Sequence, residues 1–174
     1  MFRRFARGIQ YLTEIVKALI TPPKRKLLAQ MFRFSRSLPQ RFDQPLPAMM
    51  AQLTPPSPYS AQRTGPHHSL GTIQEASILA EDEVRRLADA VAAWHFWSPL
   101  GICLRRSLLR YHFLRAAGVP VSIVFGARLK EEQEGTGLGG HAWLTLNGKA
   151  YYERPADYEG FIEMYVYPPV AGGQ

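Results

Sequence analysis

The chain has a single cysteine, Cys103, in the stretch GICLRRSLLRYHFLRAAG at residues 101–118, close to the start of a helical pattern. Unpaired backbone N–H groups in the first turn of a helix favour a thiolate, and Arg105 and Arg106 add positive potential just behind it. The thiolate is the form of cysteine that attacks a carbonyl. Such a nucleophile also needs an imidazole to hold the ion pair and to protonate the leaving group. The chain has five histidines. His67 and His68 fall in a proline-rich stretch and, without further ligands, make a poor metal site. His112 follows Cys103 on the same helix and cannot turn back to it, and His95 precedes a helix break and reads as a core or surface residue. His141 remains. It opens a strand pattern directly after Gly139 and Gly140, a common position for a residue at the lip of a cleft.

A third member, which orients the imidazole, is expected from the neighbouring strand. Asn147-Gly148 marks a hairpin. If these two residues alone form the turn, Leu146 pairs with Lys149, His141 faces Arg154, and Glu153 points to the opposite side of the sheet. If Leu146, Asn147 and Gly148 form a three-residue loop with a bulge, Thr145 pairs with Lys149 instead. His141 then stands opposite Glu153, with Cβ atoms about 5 Å apart. Spacing does not choose between these registers. Asp157, about 13 Å further along an extended strand, is the weaker candidate. Trp97, six residues before Cys103, reads as core. Trp143 is expected to alternate with His141 across the strand and to pack the sheet.

Several elements must position these residues. The segment MFRRFARGIQYLTEIVKALI spaces Phe2, Phe5, Ile9, Leu12, Val16 and Leu19 by threes and fours, an apolar helical stripe expected to pack on the protein's own core. Pro22 and Pro23 stop it, and a second helical pattern runs from Lys26 to about Ser37. Residues 39–71 hold seven prolines and read as an extended connector without regular structure. Thr72 and Glu75 form a capping-box pattern, and Val84, Leu87, Val91 and Trp94 form the next stripe. Ser98-Pro99 ends that helix or starts the one carrying Cys103, which Gly118 closes.

The period then changes to two. VPVSIVFGAR, HAWLTL, KAYYERP and FIEMYVY read as strands, and the glycine-rich segment 129–140 between the first two reads as a mobile loop. Helices followed by an antiparallel sheet make the fold class α+β. The expected organisation is a basic amphipathic helical arm at 1–38, the connector at 39–71 and a domain at 72–174.

Composition narrows the function classes. The 174 residues carry a net charge of +7. Residues 1–63 hold eleven Lys and Arg against two acids, so the basic character belongs to the N-terminal part. Such a part suits an acidic partner, a membrane surface or nucleic acid, or is simply a solvated helix. A lone cysteine excludes an internal disulfide and fits a reducing compartment, and no apolar run has the roughly 18–20 residues of a membrane span, so a cytoplasmic location is expected. Phosphate loops, zinc spacings and RNA-binding motifs are all missing. No metal, cofactor or nucleic acid is expected.

The blocks CLRRSLLRYHFLRAAGVPVSIVFGAR and HAWLTLNGKAYYE closely resemble the leader peptidase, or B protein, of lasso-peptide biosynthesis, over residues 80–155. The shared pattern is Cys103-Leu104-Arg105-Arg106-Ser107-Leu108, then Gly118-Val119-Pro120, Gly126-Ala127-Arg128 and His141-Ala142-Trp143-Leu144, with the Asn-Gly hairpin after it. The resemblance implies a transglutaminase-like, papain-related cysteine peptidase core with Cys103 as nucleophile and His141 as general acid and base. The family's orienting residue is usually an aspartate twelve positions after the histidine. Here that position is Glu153, whose longer side chain must fold differently to reach the ring.

The implied reaction is hydrolysis of the bond between leader and core of a ribosomally made precursor. The implied partners are that precursor peptide, a small leader-binding recognition-element protein and an asparagine-synthetase-like cyclase, with the basic arm as a docking surface. Two other readings stay open: a transglutaminase-like acyl transferase or deamidase on another substrate, and a non-enzymatic basic adaptor.

Overall fold

In the computed structural model, residues 2–56, 79–95, 97–131 and 134–169 are described, and the side chains of residues 2–10 are outside that description. The chain divides into two compact units, Met1–Val119 and Pro120–Gln174. The first holds α1 (Phe2–Ile20), α2 (Pro22–Arg41), α3 (Leu46–Leu53), α4 (Glu81–Trp94) and α5 (Ile102–Ala116). The second holds β1 (Ser122–Leu129), β2 (Leu138–Leu146), β3 (Lys149–Ala150), α6 (Pro155–Tyr158) and β4 (Ile162–Tyr167). The α+β order is the one expected.

The helical unit forms around α5. Leu108, Leu109, Tyr111, Phe113 and Leu114 are buried there against Leu27, Leu28, Met31 and Leu38 of α2, Met49, Met50 and Leu53 of α3, and Val84, Leu87 and Val91 of α4. Trp94, the last residue of α4, stays 47% exposed and leaves the stripe it was assigned to. Arg110 lies inside this core because Asp89 meets it with both carboxylate oxygens, at 2.6 and 2.7 Å. A buried charge is tolerable only when it is paired and hydrogen-bonded in this way.

Three expectations for the N-terminal half are corrected. Pro22 and Pro23 do stop α1, but they also open α2, four residues before the expected start at Lys26. Proline lacks only an N–H that has no partner in a first turn, and its fixed φ suits the helix. The stretch from residue 39 to 56 is not extended: α2 runs through Pro39 to Arg41, and α3 starts on Pro45 with a proline in its first turn. Prolines read as breakers were helix starters. The remainder of the expected connector lies outside the described residues, with His67, His68 and the Thr72–Glu75 cap.

The third correction concerns α1, which packs on α2 and α4 within the helical unit. Its inward side is Ile15 and Ala18, whereas Leu12, Val16 and Leu19 of the expected core stripe are about half exposed. Among the described residues no helix is long and apolar enough to cross a membrane.

The sheet unit is one four-stranded antiparallel sheet in the order β3-β2-β1-β4. Val121, Ile123, Val124, Ala142, Trp143 and Leu144 are its buried members. β2 begins at Leu138, three residues before the expected start. Gly139 and Gly140 are therefore ladder residues opposite Arg128 and Ala127. β3 is shorter than the expected strand, for a reason given below.

Candidate active site

The candidate residues divide between the two units, and each half is built by different physics. In the helical unit, the chain leaves α4 at His95 and enters α5 through an irregular stretch. Ser98 is not the cap of α5: its Oγ accepts from the Leu100 N–H at 3.3 Å, and Gly101, extended at φ −58° and ψ 149°, is the N-cap residue. Cys103 is therefore the second residue of the helix proper, half-buried, where backbone N–H groups have no intrahelical acceptor.

The arginine behind it is not a solvent-facing charge. Arg105 is 4% exposed; its Nη1 donates to the carbonyls of Ser98 (3.3 Å) and Leu100 (2.8 Å), and its Nη2 to that of Ala92 (3.1 Å). One guanidinium thus ties the end of α4, the intervening loop and the first turn of α5 together. Burial pulls the Arg105 pKa below its ordinary value, and the electrostatic interaction with Cys103 opposes that shift.

The other described histidines of this unit are structural. His95 is buried, with Nδ1 2.8 Å from the Ser35 hydroxyl and the Trp97 ring edge-on at 4.9 Å. Burial, helped by Arg105 and Arg36, holds its pKa below the usual imidazole range. His112 Nδ1–H donates to the Leu53 carbonyl at 2.6 Å while the ring stacks on Phe34 at 4.3 Å. Burial lowers its pKa as well, with the Leu53 carbonyl opposing and Arg41 reinforcing the shift. Trp97 is not core: it is 59% exposed, because α4 has already ended and the ring lies over His95 from outside.

In the sheet unit, His141 stands within β2 opposite Gly126. It does not alternate with Trp143. Residues two apart share a face, and the two rings stack at 5.8 Å with 18° between their planes. Phe161 approaches the imidazole at 5.2 Å, Tyr158 stacks on Trp143 at 5.8 Å, and the Arg128 guanidinium covers Phe161 at 5.1 Å. His141 Nε2 is closed to solvent.

Gly126 makes this possible. A Cβ there would lie 2.6 and 2.8 Å from two carbons of the Trp143 ring and 3.0 Å from the Phe161 Cβ. Reasoning from the sequence named Gly126 only as part of a shared motif, and missed its packing role, Tyr158, Phe161 and the bracing role of Arg105. A glycine in mid-strand was the one available signal, since it marks close approach by another group.

The hairpin takes the two-residue register. Leu146 pairs with Lys149, and Asn147 and Gly148 have φ values of 52° and 75°. Both central residues with positive φ make a type I′ turn, whose twist matches that of the strands. The three-residue loop that would set Glu153 directly opposite His141 does not form. Pairing continues only to Tyr151, whose N–H donates to the Leu144 carbonyl at 2.8 Å, before Tyr152 at φ 53° turns the chain out of the ladder. Glu153 follows that turn and is half-buried. Asp157 receives both hydrogen bonds of the Arg154 side chain, at 2.9 and 2.7 Å, in the first turn of α6.

The β1–β2 connection is pinned where it is described. Lys130 N–H donates to the Gly137 carbonyl at 3.0 Å, and the Glu134 carboxylate takes both the Glu131 N–H and the Arg128 side chain. Among the described residues no group of three or more His, Cys, Asp or Glu side chains is placed to hold a metal ion.

No curated protein and no solved structure matches the chain. The sequence pattern of the transglutaminase-like superfamily does match, over residues 52–166, a span that takes in α4, Cys103 on α5, His141 on β2 and most of β4. Since the matched span is well over half of the chain, this protein belongs to the transglutaminase-like superfamily.

Proposed function

We propose that the protein is a cysteine peptidase that removes the leader from a lasso-peptide precursor, with Cys103 as nucleophile, His141 as general acid and base, and Glu153 as the group orienting the imidazole. The observation that carries the reading is the place of Cys103 at the second residue of α5, inside a transglutaminase-like domain. The Cys-Leu-Arg-Arg-Ser-Leu and His-Ala-Trp-Leu motifs support the finer assignment by their resemblance to the leader peptidases.

In this reading, the Cys103 thiolate attacks the carbonyl carbon of the leader–core bond and forms a C–S bond. The oxyanion is held by the Cys103 backbone N–H at the helix start. The C–N bond then breaks as His141 gives its proton to the departing amine, leaving a thioester. Water, deprotonated by His141, displaces the sulfur and regenerates the thiolate. The orienting role of Glu153 rests on the resemblance, which assigns it by its place twelve residues after His141. The precursor, a recognition-element protein and an asparagine-synthetase-like cyclase are the proposed partners, and the cytoplasm is the proposed compartment.

Superfamily membership favours one other outcome, capture of the thioester by an amine instead of water. The test is precursor cleavage followed by mass spectrometry, with and without added primary amine. Cys103→Ala should abolish cleavage while circular dichroism stays that of the wild type. Cleavage that survives the substitution overturns the reading. A product carrying the amine in place of water assigns the transfer reaction instead.

A further inference from the structure

Among the described residues of the helical unit, one side of α1 carries a row of exposed aliphatic side chains. Leu12 is 48% exposed, Val16 48%, Leu19 51% and Ile20 78%, while Ile15 and Ala18, on the flank of this row, are buried. The sequence continues the same three–four spacing back through Ile9, Phe5 and Phe2. Lys17 is exposed beside this row, and Arg25 and Lys26 are exposed just past the corner at Thr21–Pro22. Across α1 and α2, ten Lys and Arg stand against one acid, Glu14.

We infer that this face of α1 docks the protein, lying flat, on an anionic lipid surface. An aliphatic row on one helix, bordered by basic side chains, is what an interfacial helix presents to a bilayer. The charge selects the occupant. A second copy would bring the same positive surface against itself, whereas anionic headgroups complement it, each basic residue near the surface strengthening binding by roughly fivefold. The inference is independent of the peptidase reading.

Flotation of the full-length protein with vesicles tests it. The protein should partition onto phosphatidylcholine vesicles containing phosphatidylglycerol, scarcely onto phosphatidylcholine alone, and less at high salt. The variant Val16→Glu/Leu19→Glu changes two exposed positions, so its fold should survive, and partitioning should fall by at least about tenfold. Its precursor cleavage in vesicle-free solution should equal that of the wild type, which keeps failure of docking distinct from failure of the peptidase. Equal partitioning onto both vesicle types, or none onto either, overturns the inference. So does a wild-type dimer in light scattering that the variant converts to monomer without any vesicle binding, for the row is then a self-association face.

Discussion

The two units hold their candidate reactive side chains by opposite means. Cys103 is placed by polar chemistry: a buried guanidinium gathers the carbonyls of Ala92, Ser98 and Leu100 and so fixes the loop that delivers the thiol to the first turn of α5. His141 is placed by aromatic packing: its ring stacks on Trp143 and meets Phe161, and the Trp143 ring in turn lies over Gly126, which has no side chain. The difference follows from the backbone on which each residue stands. A loop entering a helix leaves carbonyls that the helix does not use, and these must be satisfied from elsewhere. A strand satisfies its own backbone in the ladder, so the side chain above it can only be held by its neighbours. The polar brace is directional and fails when a donor is lost. The aromatic one is a matter of shape and fails when volume changes.

The sharpest way to break this comparison is Arg105→Met. The apolar chain fills much of the volume but leaves three carbonyls without their donor. Each unsatisfied buried acceptor costs about 1–3 kcal/mol, so a total of about 3–9 kcal/mol is expected. Urea unfolding should show it, and the rate of Cys103 alkylation should change in the native protein because the loop before it is released. Arg105→Lys keeps the charge but replaces a planar fork with a single point of donation, and should recover less than half of the loss. A methionine variant within about 0.5 kcal/mol of the wild type, the spread of ordinary surface changes, would show that the brace is not what holds this loop.

The matching experiment on the sheet unit adds volume instead of removing a donor. Gly126→Ala puts a methyl group where the Trp143 ring lies, and displacing a packed side chain costs about 1–3 kcal/mol. The imidazole moves with the indole on which it stacks. If the peptidase reading holds, kcat should fall by about 10–100-fold with KM little changed, since a misplaced catalytic group slows chemistry more than it weakens binding. Phe161→Leu removes the second ring that meets the imidazole and should show the same kcat loss, with a smaller one in stability. Cleavage at the wild-type rate in both variants would mean that aromatic packing is not what positions His141.

Much of this arrangement was legible in the sequence, and the exceptions share a physical cause. The periodicity of residues 81–94, the Ser98-Pro99 and Gly118 boundaries of the helix carrying Cys103, and the alternation after Gly118 placed the helices and strands because local pattern and final structure agree there. The Asn-Gly turn was legible too. What the turn could not reveal is the end of the ladder, which depends on the left-handed Tyr152, a conformation tyrosine does not advertise. The α1 stripe was legible as a stripe, but periodicity does not say whether a stripe faces in or out. The helix turns Ile15 and Ala18 inward, and Val16 and Leu19 stay about half exposed. Prolines misled for a related reason. The residue that ends one helix is also suited to the first turn of the next, and only its tertiary neighbours decide between the roles.

The mildest expected effect concerns pH and again separates the units. His95 and His112, both in the helical unit, have pKa values held below the ordinary range, chiefly by burial. In the unfolded chain each titrates near 6.5. Above that value both states are neutral and the stability contributed is fully present. As pH falls through 6.5 the unfolded chain takes up protons that the folded protein refuses, so stability declines until the lowered folded pKa values are reached. Two protons set a limit of about 2.7 kcal/mol per pH unit, and the actual slope lies below it. Asp82 belongs to a separate, more acidic window. Its carboxyl is lowered mainly by the hydrogen bond from Arg85, so its contribution is lost only as pH falls below about 3.8. Thermal unfolding between pH 7.5 and 5 should therefore show Tm falling with pH. His112→Gln, which keeps a donor for the Leu53 carbonyl but does not titrate, should flatten the slope even as it lowers Tm at pH 7.5. A Tm constant across that range would mean that both imidazoles accept protons in the folded protein, and that the helical unit is looser around Phe34 and Ser35 than its packing implies.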